Sequence, residues 1–281
     1  VRITKVFGRS SSGTRKLAIK AILSVLRPLY IIEPSWVSPI HKVFHEWCSS
    51  NRPSKFIVVQ HGLYIGGVVV GAAPRTARCD VMLCWGDFSL REFLRHNPGT
   101  KTRFLKWGNP VYNRLDRGAF EYRTVRGKSV LLCPSFTSES RIPMYEKFIT
   151  HLVCIGFNVS IKQHNFQTKL ARSFKGAPIL TAELLDLLRS QKYDLVISDH
   201  STALVDAIFL KNNVLLFSPP GEFAAYDSNA YTRRLTNTYR KFESWRTFRD
   251  VITYVDVAGQ EKLLHELVHP GSNDLTVLRS Y

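Results

Sequence analysis

The chain has 281 residues, 44% of them apolar, which suits one large or two medium α/β domains and excludes disorder. No stretch approaches the ~20 apolar residues of a membrane span, and the first residues show no secretory signal pattern. The net charge of +17 is uneven: residues 1–125 carry 20 Lys and Arg against 7 Asp and Glu, residues 126–281 carry 19 against 15. A basic first half faces something acidic, so nucleic acid, anionic lipid and an anionic glycan acceptor all stand as partners. The five Cys (48, 79, 84, 133, 154) include no C-x-x-C pair, which argues against zinc and fits a reducing cytoplasm.

In chain order, residues 1–13 read as a basic Gly/Ser-rich loop. Thr14–Arg27 reads as a helix, with Lys16, Lys20 and Arg27 set against Leu17, Ile19, Ile22, Leu23, Val25 and Leu26. Such a helix packs in a domain with a solvated basic face, or lies on an anionic membrane. Strands and helices then alternate: Leu29–Ile32 strand, Pro39–Ser50 helix, Phe56–Val59 strand, Asp80–Trp85 strand, Phe88–Arg95 helix, Arg103–Trp107 strand. The polar, aperiodic residues 116–128 read as a linker. A second alternation follows: Ser129–Cys133 strand, Pro143–Ile155 helix, Asn158–Ile161 strand, Glu183–Arg189 helix, Leu195–Ser198 strand, Ser201–Lys211 helix, Val214–Phe217 strand. Residues 221–242 are aromatic and basic. Repeated β/α alternation predicts parallel sheets with helices on their faces. The expectation is two tandem Rossmann-like domains, 1–120 and 121–281, with a donor-binding cleft between them: the GT-B architecture.

Two segments carry chemistry. Leu195-Val196-Ile197 is a buried strand, and Ser198-Asp199-His200-Ser201-Thr202 leads from it into a helix containing Asp206. A helix N-terminus has unpaired N–H groups and a positive dipole end, which suit a phosphate. Ordinary N-capping uses the same residues without a ligand. Val159–Ile161 ends at Lys162-Gln163-His164, and ligands of open α/β sheets bind at such strand ends. In the first half, Phe56–Val59 ends at Gln60-His61-Gly62. His61 has a pKa suited to a base near neutral pH, and Glu33, ending the first strand, is the rival base.

These residues resemble a family. Ile197-Ser198-Asp199-His200-Ser201-Thr202 with Asp206 resembles the T-D-Y-S-S…D segment of the CDP-glycerol glycerophosphotransferase family and related bacterial surface-polysaccharide transferases. Ile161-Lys162-Gln163-His164-Asn165 is similar to their K-x-H-P strand end, and Leu131-Leu132-Cys133-Pro134-Ser135-Phe136 to the segment that opens their donor domain. Trp107-Gly108-Asn109-Pro110-Val111-Tyr112-Asn113-Arg114-Leu115 is similar to their G-x-P-R-x-D-x-L, and Val59-Gln60-His61-Gly62 to their His-Gly element. The five elements keep the family's order. Asn165, Asn113, Val111, His200 and Gln60 depart from its usual Pro, Asp, Arg, Tyr and Trp, which turns the reading from glycerol phosphate towards sugar transfer.

The resemblance implies a nucleotide-activated donor (CMP-, CDP- or UDP-linked, or a CDP-polyol) held by Ser135, Lys162, His164, Ser198, Asp199, Ser201, Thr202 and Asp206. It implies His61 or Glu33 as base, and a glycan or lipid-linked acceptor. No Asp-x-Asp occurs, so metal-independent transfer without a cofactor is expected. The expected place is the cytoplasm, peripheral to the inner face of the cell membrane. A nucleotide-sugar epimerase is an alternative on the same fold. A polynucleotide binder is another, but no recognition helix, RNP-like run or zinc pattern supports it.

Overall fold

The computed structural model describes residues 12–34, 40–51, 53–62, 78–122, 127–134, 142–163, 174, 176–198, 202–217, 240–241, 252–254 and 257–268. These fall into two units, one ending at Asn109 and the other starting at Pro110. No described helix is long and apolar enough to cross a membrane.

The first unit contains α1 (Ser12–Leu26), β1 (Tyr30–Glu33), α2 (His41–Ser50), β2 (Lys55–Val59), β3 (Val81–Cys84), α3 (Asp87–His96) and β4 (Arg103–Lys106). Its strands are parallel and lie in the order β1-β2-β3-β4. When each strand adds on the same side, crossovers of one hand all fall on one face. The core follows that rule. Ile31, Phe56, Val58, Met82 and Cys84 of the sheet share one cluster with Ile19 and Leu23 of α1, Val43, Phe44 and Trp47 of α2, and Phe93 of α3. The opposite face is a smaller cluster of Ile57, Val81 and Leu83 with Val59, Leu105 and Trp107. α1 is therefore a packed helix. It also keeps Leu17 and Val25 exposed, while Lys20 pairs with Glu46 at 3.1 Å.

The second unit contains β5 (Ser129–Cys133), α4 (Ile142–Cys154), β6 (Asn158–Ile161), α5 (Leu184–Arg189), β7 (Leu195–Ser198), α6 (Ala203–Phe209), β8 (Val214–Phe217), β9 (Arg240–Lys241), β10 (Ile252–Tyr254) and α7 (Val257–Leu267). The sheet order is β6-β5-β7-β8-β10-β9. The first four strands are parallel, and β10 runs antiparallel to β8 and to β9. Val130, Leu132, Val159, Ile161, Leu195, Ile197, Leu215 and Phe217 present one face to Tyr145, Phe148, Ile149 and Leu152 of α4. α6 packs on β7 and β8 and against α5 and α7, and every residue of it except Asp206 is buried. α4 stops at Gly156, whose φ of +89° lets the Gly156 and Phe157 N–H groups bond back to the carbonyls of Val153 and Leu152.

Three elements were not anticipated from the sequence: β9, β10 and α7. Of the stretch 221–242, only Arg240–Lys241 lies within the described residues. The segment read as a linker, 116–128, groups with the second unit. Arg117 pairs with Glu261 of α7 and donates from Nε to the Phe209 carbonyl at 3.1 Å, and Tyr122 donates to Glu261 at 3.0 Å.

Phe148 is fully buried and stacks on Phe217 with ring centroids 4.4 Å apart. Phe148→Ala is expected to lower the urea-unfolding stability of the chain by about 3–5 kcal/mol.

Candidate functional site

In the second unit β6 lies on one side of β5, and the chain then returns to place β7 on the other. The β5-to-β6 and β6-to-β7 crossovers run in opposite directions along the sheet, which for connections of one hand puts them on opposite faces. Open α/β sheets take their ligands at the carboxyl ends of the strands beside such a reversal. The strand ends there are Cys133, Ile161 and Ser198.

Lys162 directly follows β6, and its N–H continues the ladder to the Leu132 carbonyl at 2.9 Å. The residue is only 9% exposed. Among the described residues no carboxylate lies within ion-pair distance of its ammonium group. An ammonium group with no carboxylate partner can take a hydrogen-bonding anion at this position. Ser198 is fully buried, and its hydroxyl donates to the Cys133 carbonyl. It ties β7 to β5 at the reversal. Thr202 is the residue before α6 and makes no side-chain cap. The capping explanation for Thr202 is therefore not realised. α6 spans only 7 residues, so its dipole is short.

Asp206 is half-buried as a residue, but its carboxyl is enclosed. Burial pushes its pKa up to about 6, against a smaller opposing effect from the Tyr112 hydroxyl, which donates to it at 2.6 Å. Tyr112 also stacks on Phe209 with centroids 4.2 Å apart. Asp206 thus anchors the segment after Pro110 to α6. Ser135, His164, Asp199 and Ser201 lie outside the described residues.

In the first unit Glu33 ends β1 and is 8% exposed. Its Oε2 lies 3.4 Å from Nδ1 of His41 at the start of α2, while His41 Nε2 meets the Arg78 carbonyl at 3.0 Å. The Glu33 carboxylate is therefore turned into the core and towards an imidazole. His61 follows β2 on an exposed turn. Partial covering of its ring lowers its pKa, with a hydrogen bond to the Pro34 carbonyl acting in the opposite direction. A lowered pKa leaves the imidazole neutral near pH 7, the state a base requires. His41 and Tyr112 were not singled out from the sequence, because their partners lie 8 and 94 residues away. No local spacing announces such pairs. Among the described residues no group of three or more His, Cys, Asp or Glu side chains converges as a metal site.

No protein-family model matches this sequence, and no curated protein does. Solved structures do. The UDP-GlcNAc 2-epimerase of Methanocaldococcus jannaschii, in complex with UDP-GlcNAc and UDP, aligns over 97% of this chain and 82% of its own, at TM-score 0.57 and 12% identity. The UDP-N-acetylglucosamine 2-epimerase of Rickettsia bellii aligns over 98% and 78%, at 0.55 and 12%. The MnaA–UDP structure from S. aureus aligns over 91% and 78%, at 0.53 and 11%. The fold is therefore the GT-B-like pair of Rossmann-like domains found in enzymes that handle nucleotide sugars.

Asp206 has a folded pKa above its ordinary 3.8, so the folded chain holds this proton more tightly than the unfolded chain. The stability it contributes is full below about pH 4 and is lost as pH rises through about 6. Asp206→Asn is expected to remove about 2–3 kcal/mol of that decline, read from urea unfolding between pH 4 and 7. His41→Ala is expected to cost about 3 kcal/mol, measured in the same assay, by emptying the buried ring position beside Phe56 and Glu33 and losing the contact with the Arg78 carbonyl.

Proposed function

We propose that this chain moves a sugar from a nucleotide-activated donor, CMP-, CDP- or UDP-linked, to a hydroxyl of a glycan or lipid-linked acceptor. The carrying observation is Lys162, a cation 9% exposed at the carboxyl end of β6, next to the strand-order reversal, with no carboxylate partner among the described residues. A donor phosphate is the anion that suits it. In transfer the acceptor oxygen bonds to the anomeric carbon as the carbon–oxygen bond to phosphate breaks. The electron pair leaves with the nucleotide, where Lys162 offsets the growing charge. The hydroxyl proton goes to His61, which the first unit supplies as a neutral imidazole. Glu33, turned towards His41, is the weaker candidate for that role. Ser135, His164, Asp199, Ser201 and Thr202 complete the donor set in this reading, and the surplus of cations in residues 1–125 attracts an anionic acceptor or the anionic surface that carries it.

The likeness to UDP-GlcNAc 2-epimerases favours a second reading, in which the same donor pocket serves epimerisation. A fold hosts many chemistries, so the reaction itself separates the two. Transfer needs an acceptor and releases nucleotide. Epimerisation alters the sugar with no acceptor present.

A thermal-shift series with CMP, CDP, UDP, GDP and their sugar conjugates, with and without EDTA, tests the donor site. One nucleotide class is expected to raise Tm, and Lys162→Met is expected to weaken its binding by about tenfold or more. No shift with any nucleotide, or unchanged affinity in Lys162→Met, would overturn the assignment. Sugar analysis of the same mixtures without acceptor then decides between transfer and epimerisation.

A further inference from the structure

The turn after β2 is organised around one side chain, Gln60, which is 1% exposed. Its backbone N–H donates to the Leu83 carbonyl at 3.0 Å. Its Oε1 accepts the Trp85 backbone N–H at 2.8 Å, and its own carbonyl accepts the Trp85 indole N–H at 2.7 Å. Its Nε2 donates both hydrogens, to the Ser89 hydroxyl at 2.8 Å and to the Gly62 carbonyl at 2.9 Å. The last bond runs from residue 60 to residue 62, so it closes a ring across His61. The other bonds fasten that ring to the end of β3 and to α3.

Only a side-chain amide of this length meets the demand. The site needs one acceptor for the Trp85 N–H and two donors for the Gly62 and Ser89 oxygens. A carboxylate lacks the donors, an ammonium lacks the acceptor, and an apolar residue leaves the buried Trp85 N–H and Gly62 carbonyl unpaired. The ring of His61 has its own constraint in the Pro34 carbonyl, to which it donates. In a neutral imidazole, an N–H committed to a carbonyl makes the other nitrogen the acceptor.

We propose that Gln60 is the positioning residue for His61: its amide clamp sets the backbone so that the Pro34 carbonyl selects one ring tautomer and holds the accepting nitrogen in a single place. This rests on the reading of His61 as the base. The clamp acts at the turn that carries the base and not at the donor pocket. Its loss therefore changes kcat and not donor binding.

The test uses the full chain carrying 15N-histidine, with His61 signals identified by their loss in His61→Ala. Gln60→Glu keeps the acceptor for Trp85 and removes both donors. It is expected to turn the single-tautomer ring shifts of His61 into averaged ones. It is also expected to lower kcat by about 10- to 100-fold with donor KM within about twofold. Earlier melting with unchanged ring shifts and unchanged kcat would show a merely structural role and overturn the proposal. If Gln60→Glu does not fold, Ser89→Ala takes its place, because it removes one partner of Nε2 and leaves the turn's other bonds. A smaller move of the same two nitrogen signals supports the clamp, and unmoved signals overturn it. A wild-type chain with no transfer activity would sink the transferase reading, while the ring shifts would still decide the role of Gln60.

Discussion

The reversal of strand order around β5 is the constraint on which the second unit turns. A parallel sheet brings the carboxyl ends of its strands to one edge, and the reversal between β5 and β7 parts the covering helices there. At that edge the chain places a cation with no carboxylate among its described neighbours. The sheet face carried by Val130, Leu132, Ile161 and Ile197 is closed by α4, and the reversal itself is stitched by Ser198 on Cys133.

The first unit solves a different problem. Its strands add in one direction, so its helices gather on one face and no reversal occurs among the described strands. The turn after β2 is made rigid by buried hydrogen bonds, with Gln60 at their centre. Glu33 on the neighbouring strand is directed at His41 instead of solvent. Two residues at the ends of adjacent strands thus receive opposite environments, and only His61 keeps an exposed position.

Asp206 shows how a residue in a motif-like position serves structure. It lies in the first turn of α6, four residues after the turn that leaves β7, where a ligand contact was expected from the sequence. Its carboxyl accepts the Tyr112 hydroxyl, and Tyr112 stacks on Phe209 of the same helix. With Arg117 on the Phe209 carbonyl and on Glu261, this makes residues 112–122 an integral part of the second unit. The likeness to nucleotide-sugar epimerases is a likeness of this framework. At 12% identity it speaks for the scaffold and leaves the chemistry to the side chains at its edges.

Hydrophobic periodicity was enough to read the parallel strands and the helices around them, because burial on both faces of a sheet writes continuous apolar runs such as Leu195-Val196-Ile197 into the chain. It also marked the strand ends, and so Lys162 and His61, since ligands of such sheets gather there. Short strands at β9 and β10 left no comparable run, and α7 was not read as a helix. Pairing across long separations was invisible for a more basic reason. Tyr112 with Asp206, Glu33 with His41 and Gln60 with Trp85 and Ser89 are chosen by distance in space, which no sequence spacing encodes. The sequence by itself determined the α/β class and which residues end the strands. Only the tertiary structure decided which polar side chains at the strand ends are committed to each other, because burial and hydrogen-bond partners exist only once the sheets have closed.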